Sequence, residues 1–191
     1  MPAFVGVAKK ELAGTGVKVA TVANFPDGDD DPFGAADQVQ FSIDAGADEV
    51  DVVAPWQAHV AGDLEAAGTL VAACAAAAPP GALKVILETG SHPGAAVTRA
   101  LADAALANGA AFLKTSTGKV GPGASIEAAQ ILAEAVRDFG SGGIKLSGGV
   151  RTAEQAGEYV RLVEGILGEG WAKPDTMRFG ASGLLDDLLA R

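Results

Sequence analysis

Three ionisable side chains interrupt the most apolar stretches of this sequence: Asp51 in "DEVDVV", Lys114 in "FLKTS" and Lys145 in "GIKLS". A lysine set among large aliphatic residues loses hydration, which disfavours its charged form, and a second lysine nearby disfavours it further. The neutral amine that results near pH 7 is a nucleophile for carbonyl carbon. Lys114 and Lys145 stand 31 positions apart, one strand-plus-helix repeat, which places them on adjacent strands at a common level. Asp51 shares a strand face with Val53, opposite Val50 and Val52, where it serves as an acid/base group, as a counter-ion to a lysine, or as both. Lys84 and Glu88 in "LKVILETG" project to one face and read as support for the same charge network. Lysines that snorkel outward between helices are the alternative; it suits one mid-strand lysine better than two on neighbouring strands beside a carboxylate.

Glycine follows the last three apolar runs, in "TSTGK", "SGGVRT" and "FGASG". Gly118, Gly148, Gly149 and Gly180 allow backbone N–H groups to approach an anion closely, and Ser182 with the helix start beside it adds donors. Lys119 and Arg151 stand alongside with positive charge. A glycine in one such turn is ordinary turn chemistry, but three in succession with two cations predict a site for a small phosphorylated ligand.

The elements that must position these residues follow from two alternating textures: short β-branched runs and longer alanine-rich segments with apolar residues every three or four positions. Strands are predicted within 17–26, 47–55, 83–90, 111–118, 143–150 and 177–182. Their onsets recur at about the length of one βα unit. Thr152 and Gln155 have capping-box spacing ahead of an apolar stripe from Ala156 to Leu167. Ser125 reads as the N-cap of a helix whose buried face is Ile126, Ala129, Ala133 and Val136. Gly14, Gly46 and Gly109 close helices, and "FPDGDDDPFG" reads as an acidic solvated loop. Six βα units predict a parallel sheet, either doubly wound or closed as a barrel. No G-x-G-x-x-G or P-loop motif follows a strand. Polar residues inside consecutive strands favour the barrel, whose interior brings them together and whose C-terminal rim carries sites.

Composition narrows the function. The chain has 191 residues, 49% of them hydrophobic, enough for one core and one domain over residues 1–191. Its formal net charge of -10 argues against nucleic acid and against an acidic membrane surface as partners, so an anionic ligand must be held by local groups. One cysteine, Cys74, excludes an intrachain disulfide and reads as core. His59 and His92, far apart in the sequence, read as surface or loop residues rather than metal ligands. The apolar stretch around Cys74 is too short to span a bilayer and ends at Pro79 and Pro80. With no signal-peptide pattern at the start, a cytoplasmic protein is expected.

In order and spacing, "DEVDVVAP", "LKVILETG", "FLKTSTGK", "KLSGGVRTAEQA" and "RFGASGLL" closely resemble the deoxyribose-phosphate aldolases, class I aldolases on a TIM barrel. The resemblance runs from about Phe4 to Leu189. It implies that Lys114 is the Schiff-base lysine, that Lys145 lowers its pKa, and that Asp51 is the acid/base working through water. It further implies that Gly118, Lys119, Gly148, Gly149, Arg151, Gly180 and Ser182 line a phosphate site. The implied reaction reversibly joins acetaldehyde to glyceraldehyde 3-phosphate, without metal or cofactor.

Departures from the family pattern set further expectations. Family chains begin with a helix and two additional strands, the first bearing an aspartate and a threonine near the substrate; here Phe4 matches the start of the helix after the second. A barrel of six βα units lacking about the first two strands is therefore expected, with an edge strand near Val17 that a homo-oligomer would cover or complete. Gly183 stands where the family commonly has a second serine, and the chain ends at Arg191 without the terminal tyrosine of some members. A non-catalytic phosphate-ligand protein, an impaired fragment on the same fold, or a lysine-dependent aldolase with another acceptor are the alternatives.

Overall fold

Each of the six predicted strand segments contains a strand, and helices fall between them. The computed structural model describes residues 2–191. In chain order the elements are α1 (Val5–Glu11), β1 (Ala20–Ala23), α2 (Pro32–Asp44), β2 (Glu49–Val53), α3 (Trp56–Val60), α4 (Leu64–Ala76), β3 (Leu83–Ile86), α5 (Ala95–Ala107), β4 (Phe112–Lys114), α6 (Ile126–Phe139), β5 (Gly143–Ser147), α7 (Ala153–Leu167), β6 (Met177–Gly180) and α8 (Gly183–Leu189). The six strands form one parallel sheet in the order β1-β2-β3-β4-β5-β6, so each crossover returns to the adjacent strand, as in a (β/α) barrel.

Side-chain contacts measure how far the sheet curls. β2 and β5 are three strand spacings apart, roughly 14 Å in a flat sheet, which a lysine and an aspartate cannot bridge. Yet Lys145 on β5 lies 2.7 Å from Asp51 on β2, and Arg178 on β6 reaches Glu49 on β2 at 3.3 Å. The sheet is thus rolled into a half-barrel, with inward-facing residues meeting across its interior. Outward residues such as Val50, Val52, Val85, Leu113, Ile144 and Leu146 join Val39, Leu70, Cys74, Leu101, Leu132 and Val163 of the helices in one apolar cluster. The core therefore lies between sheet and helices, leaving the concave face for polar groups.

Helix ends follow the sequence signals. Asp63 accepts from the Glu65 and Ala66 amides ahead of α4. Ser125 accepts from the Ala128 amide ahead of α6, and Thr152 forms a reciprocal capping box with Gln155. These bonds satisfy amides that the first turn leaves unpaired. The acidic loop is shorter than its composition predicts: Asp31 caps α2 by accepting from the Gly34 amide, and Pro32 opens the helix, where proline's missing N–H costs nothing.

Two expectations about burial are corrected. Ile126 is exposed, because it lies at the start of α6 before the helix meets its neighbours; Leu132 is fully buried and takes its place beside Ala129, Ala133 and Val136. His59 is buried on α3, not a surface residue, and its Nε2 faces the Val97 carbonyl at 3.2 Å. Cys74 is core, and burial pushes its thiol up to about 12. Among the described residues no helix is long and apolar enough to cross a membrane.

Candidate active site

Three consecutive strand pairings place the charged residues. Asp51 is in register with Lys84, Ile86 with Lys114, and Lys114 with Lys145. Because side chains alternate along a strand, all four face the concave side, with Lys114 and Lys145 one layer nearer the C-terminal rim than Lys84. β4 is only three residues long, held by buried Phe112 and Leu113. Lys114 is its last residue, where strand gives way to the rim loop.

Asp51 is the hub. Its Oδ2 accepts from Lys114 Nζ at 2.7 Å and from Lys145 Nζ at 2.7 Å, and its Oδ1 accepts from Lys84 Nζ at 3.1 Å. With only 2% of the side chain exposed, burial alone would push this carboxyl up. The charges of Lys114, Lys145 and Lys84 more than reverse that, holding it well below the ordinary carboxylate range. For Lys114 the balance goes the other way. Its burial lowers the amine pKa, Asp51 opposes the shift, and the positive charges of Lys145 and Lys84 reinforce it, leaving the net value below that of an ordinary lysine. A cluster with more buried cations than carboxylates favours the neutral amine at one of them.

Glu49 adds a lower tier that the sequence pattern underrates. It opens β2 and, two residues before Asp51, faces the same side. Its Oε2 lies 2.6 Å from Lys84 Nζ, while its Oε1 takes Lys18 and Arg178 at 3.3 Å each. Burial opposes ionisation of Glu49, but the Lys84 hydrogen bond and charge outweigh it and lower its pKa. Period-two spacing from Asp51 was the available signal. Lys84 supports the network as expected. Glu88 does not join it, since β3 ends at Ile86 and Glu88 turns into a left-handed conformation at φ 54°, where its Oε2 accepts from the Thr117 amide at 2.9 Å.

Above this cluster opens a cleft of about 490 Å³. Nine of the ten residues that the family resemblance assigns to the site line it: Lys114, Gly118, Lys119, Lys145, Gly148, Gly149, Arg151, Gly180 and Ser182. Asp51 lies beneath its floor, touching both lysines. Thr117 and Ser147 also line the cleft. Gly148 and Gly149 have φ of 85° and 87°, and a Cβ at Gly148 would lie 2.7 Å from the Gly123 Cα, so glycine is required there by both conformation and space. Gly180 is needed for another reason: a Cβ there would meet the Ser147 Cβ at 2.7 Å. The Lys119 amide donates to Thr117 Oγ1, which leaves its ammonium as the group available to a ligand. Ser182 makes no side-chain capping bond to α8, and the Ala153 amide at the start of α7 is already bound to Asp187, so it is not among the free donors. Among the described residues no three His, Cys, Asp or Glu side chains gather as a metal-holding group.

The model of the DeoC/LacD family aldolases matches residues 1–184. The chain belongs to that family. Among curated DeoC/LacD relatives, a deoxyribose-phosphate aldolase of Agrobacterium fabrum is 47% identical over 175 residues, covering 91% of this chain and 68% of the relative. The apo structure of a provisionally named deoxyribose-phosphate aldolase from Toxoplasma gondii ME49 superposes with a TM-score of 0.90 at 28% identity, over 99% of this chain and 78% of that one. A tetrameric deoxyribose phosphate aldolase from Aeropyrum pernix shares the fold with a TM-score of 0.76 at 24% identity, over 100% and 74% of the two chains.

Proposed function

We propose that this protein is a class I aldolase that reversibly cleaves 2-deoxy-D-ribose 5-phosphate to D-glyceraldehyde 3-phosphate and acetaldehyde, with Lys114 as the Schiff-base residue. The observation that carries the reading is the position of Asp51 Oδ2, 2.7 Å from both Lys114 Nζ and Lys145 Nζ. It sets an acid/base group beside an amine whose pKa is depressed. Family membership and the curated relative support the same reaction.

The neutral Lys114 amine attacks the aldehyde carbon of the open-chain sugar, forming a C–N bond and a carbinolamine. Protonation of its hydroxyl expels water and leaves an iminium. Removal of the proton from the C3 hydroxyl breaks the C2–C3 bond, whose electrons flow into the iminium to form an enamine as glyceraldehyde 3-phosphate departs. Protonation of the enamine carbon and hydrolysis then release acetaldehyde and regenerate the amine. Asp51 and Lys145 move the protons in these steps, directly or through water, and the iminium is the electron sink. Gly118, Gly148, Gly149, Gly180, Ser182, Lys119 and Arg151 hold the phosphate at the rim, where the last two supply positive charge in a net acidic protein.

The described residues act as one domain in this reading, as a cytoplasmic homo-oligomer. Phe33 and Phe41 on α2, the helix that follows the edge strand β1, and Phe4 and Val7 near the start of the chain are exposed. A second subunit that covers these side chains removes apolar surface from water, and one that covers β1 removes an unpaired strand edge. Sedimentation at micromolar concentration tests this, and a monomer would contradict it. The activity is tested by coupling acetaldehyde release from 2-deoxyribose 5-phosphate to a reporter dehydrogenase. Turnover by the parent chain that vanishes in Lys114→Met supports the assignment; no turnover by folded parent protein refutes it.

A further inference from the structure

Glu88 is a fully buried acidic residue that neither joins the Asp51 cluster nor lines the cleft itself. It holds φ 54°, ψ 49°, a left-handed conformation rare for residues with a side chain, so the surrounding structure must hold it there. That conformation turns the Glu88 carboxyl from the end of β3 toward the loop after β4. Its Oε2 accepts from the Thr117 amide at 2.9 Å, whereas its Oε1 has no partner. Around this bond the two segments interlock. The Thr89 amide donates to the Thr115 carbonyl at 2.9 Å. A Cβ at Gly90 would strike the Pro122 carbonyl oxygen, and one at Gly121 would lie 2.5 Å from Ser91 Oγ.

We infer that Glu88 is a positioning residue for the phosphate half of the cleft: by accepting the Thr117 amide it fixes the loop that presents Gly118 and Lys119 to the ligand. The inference builds on the placement of the phosphate under the proposed function. Thr117 is the residue immediately before Gly118, and its Oγ1 in turn accepts from the Lys119 amide. One buried acceptor thus orients three consecutive residues of the rim. The Glu88 carboxylate makes no hydrogen bond to Lys114, Lys145 or Asp51; the Lys114 carbonyl is held instead by the Leu87 amide at 2.9 Å, a backbone bond that side-chain replacement at Glu88 leaves in place.

The test compares Glu88→Ala, Glu88→Asp and Glu88→Gln in the full chain, with folding verified by circular dichroism. Two readouts separate the halves of the site: the Kd for inorganic phosphate, followed by amide NMR of the rim, and borohydride trapping of acetaldehyde, which carries no phosphate. Losing a hydrogen bond of this kind weakens phosphate binding by about tenfold in the Ala variant. The Asp variant, one methylene too short to reach the amide, shows the same loss, while Gln, which keeps a carbonyl acceptor, stays near the parent value. Trapping at Lys114 is unchanged in all three. Unaltered phosphate affinity in both the Ala and Asp variants, or a Gln variant as defective as Ala, would overturn the inference. Absence of an acetaldehyde adduct in the parent would instead overturn the aldolase reading, with the phosphate titration still deciding the role of Glu88.

Discussion

Lys145 reaches Oδ2 of Asp51 at 2.7 Å although the two residues sit on strands three places apart in the sheet. Curvature therefore creates the site: flattening the sheet would carry Lys145 out of reach of Asp51. Asp51 in turn ties β2 to β3, β4 and β5 through its three lysines.

Replacing Asp51 by asparagine keeps the shape and removes the charge. Three lysines lose their shared counter-ion in a buried setting, so the melting temperature falls by roughly 10 °C, the scale expected for breaking a buried ionic network in a chain of this size. Turnover falls about 10²- to 10⁴-fold, the usual contribution of a positioned acid/base group. Calorimetry and steady-state cleavage measure the two effects separately.

The pH–rate profile follows from Lys114. Only its neutral form attacks, and its pKa is lowered from about 10.5 by burial and by Lys145 and Lys84, against Asp51. kcat/KM rises with pH and levels off below the ordinary lysine range. Lys84→Met deletes one charge that depresses Lys114 and frees Asp51 to attract it more strongly, so the rising limb moves to higher pH.

Stability toward acid follows from Asp51 with the opposite sense. Its folded pKa is depressed below the unfolded value of about 3.9. The contribution is present in full above that value and is lost as pH falls toward the folded pKa, because the unfolded chain then takes up the proton first. Urea melts at pH 6 and pH 3 show the parent losing more stability on acidification than Asp51→Asn.

Loss of a rim cation weakens substrate binding without touching imine formation. Arg151→Gln and Lys119→Gln each raise KM for the phosphorylated sugar by about tenfold or more, since hydrogen bonds to charged groups contribute about 1.5–3 kcal/mol. Acetaldehyde trapping by either variant matches the parent. Unchanged KM in both variants would place the phosphate elsewhere.

Gly180→Ala addresses the floor of the cleft. The new methyl would meet the Ser147 Cβ at 2.7 Å and the Lys145 Cε at 3.4 Å, so Ser147 or the strand must shift and Lys145 with it. Activity drops by more than the modest change in melting temperature explains, and a crystal structure of the variant shows Lys145 displaced from Asp51.

How much was legible in the chain depends on the length scale of the signal. Period-two and helical patterns predict all six strands, because each βα unit buries its own face; their order follows only from the polar residues inside the strands, which favour the barrel. The spacing of Lys114 and Lys145 places them at one level, which the β4–β5 register reproduces. Glu49 escapes this reading because a strand start looks like the acidic turn before it, and only the partners at 2.6 and 3.3 Å distinguish them. Glu88 escapes it because strand alternation stops at Ile86, and nothing local announces that the backbone turns left-handed two residues later. His59 illustrates the same limit: its burial comes from packing of α3 against distant residues, including the carbonyl of Val97.

The most direct test of the central claim is borohydride trapping. Protein incubated with 2-deoxyribose 5-phosphate is reduced, digested and mapped by peptide mass spectrometry. A single reduced adduct on Lys114, absent in Lys114→Met and retained at Lys114 when Lys145 is replaced, is the predicted result. An adduct on Lys145 in the parent chain, or none on folded protein, would contradict the account.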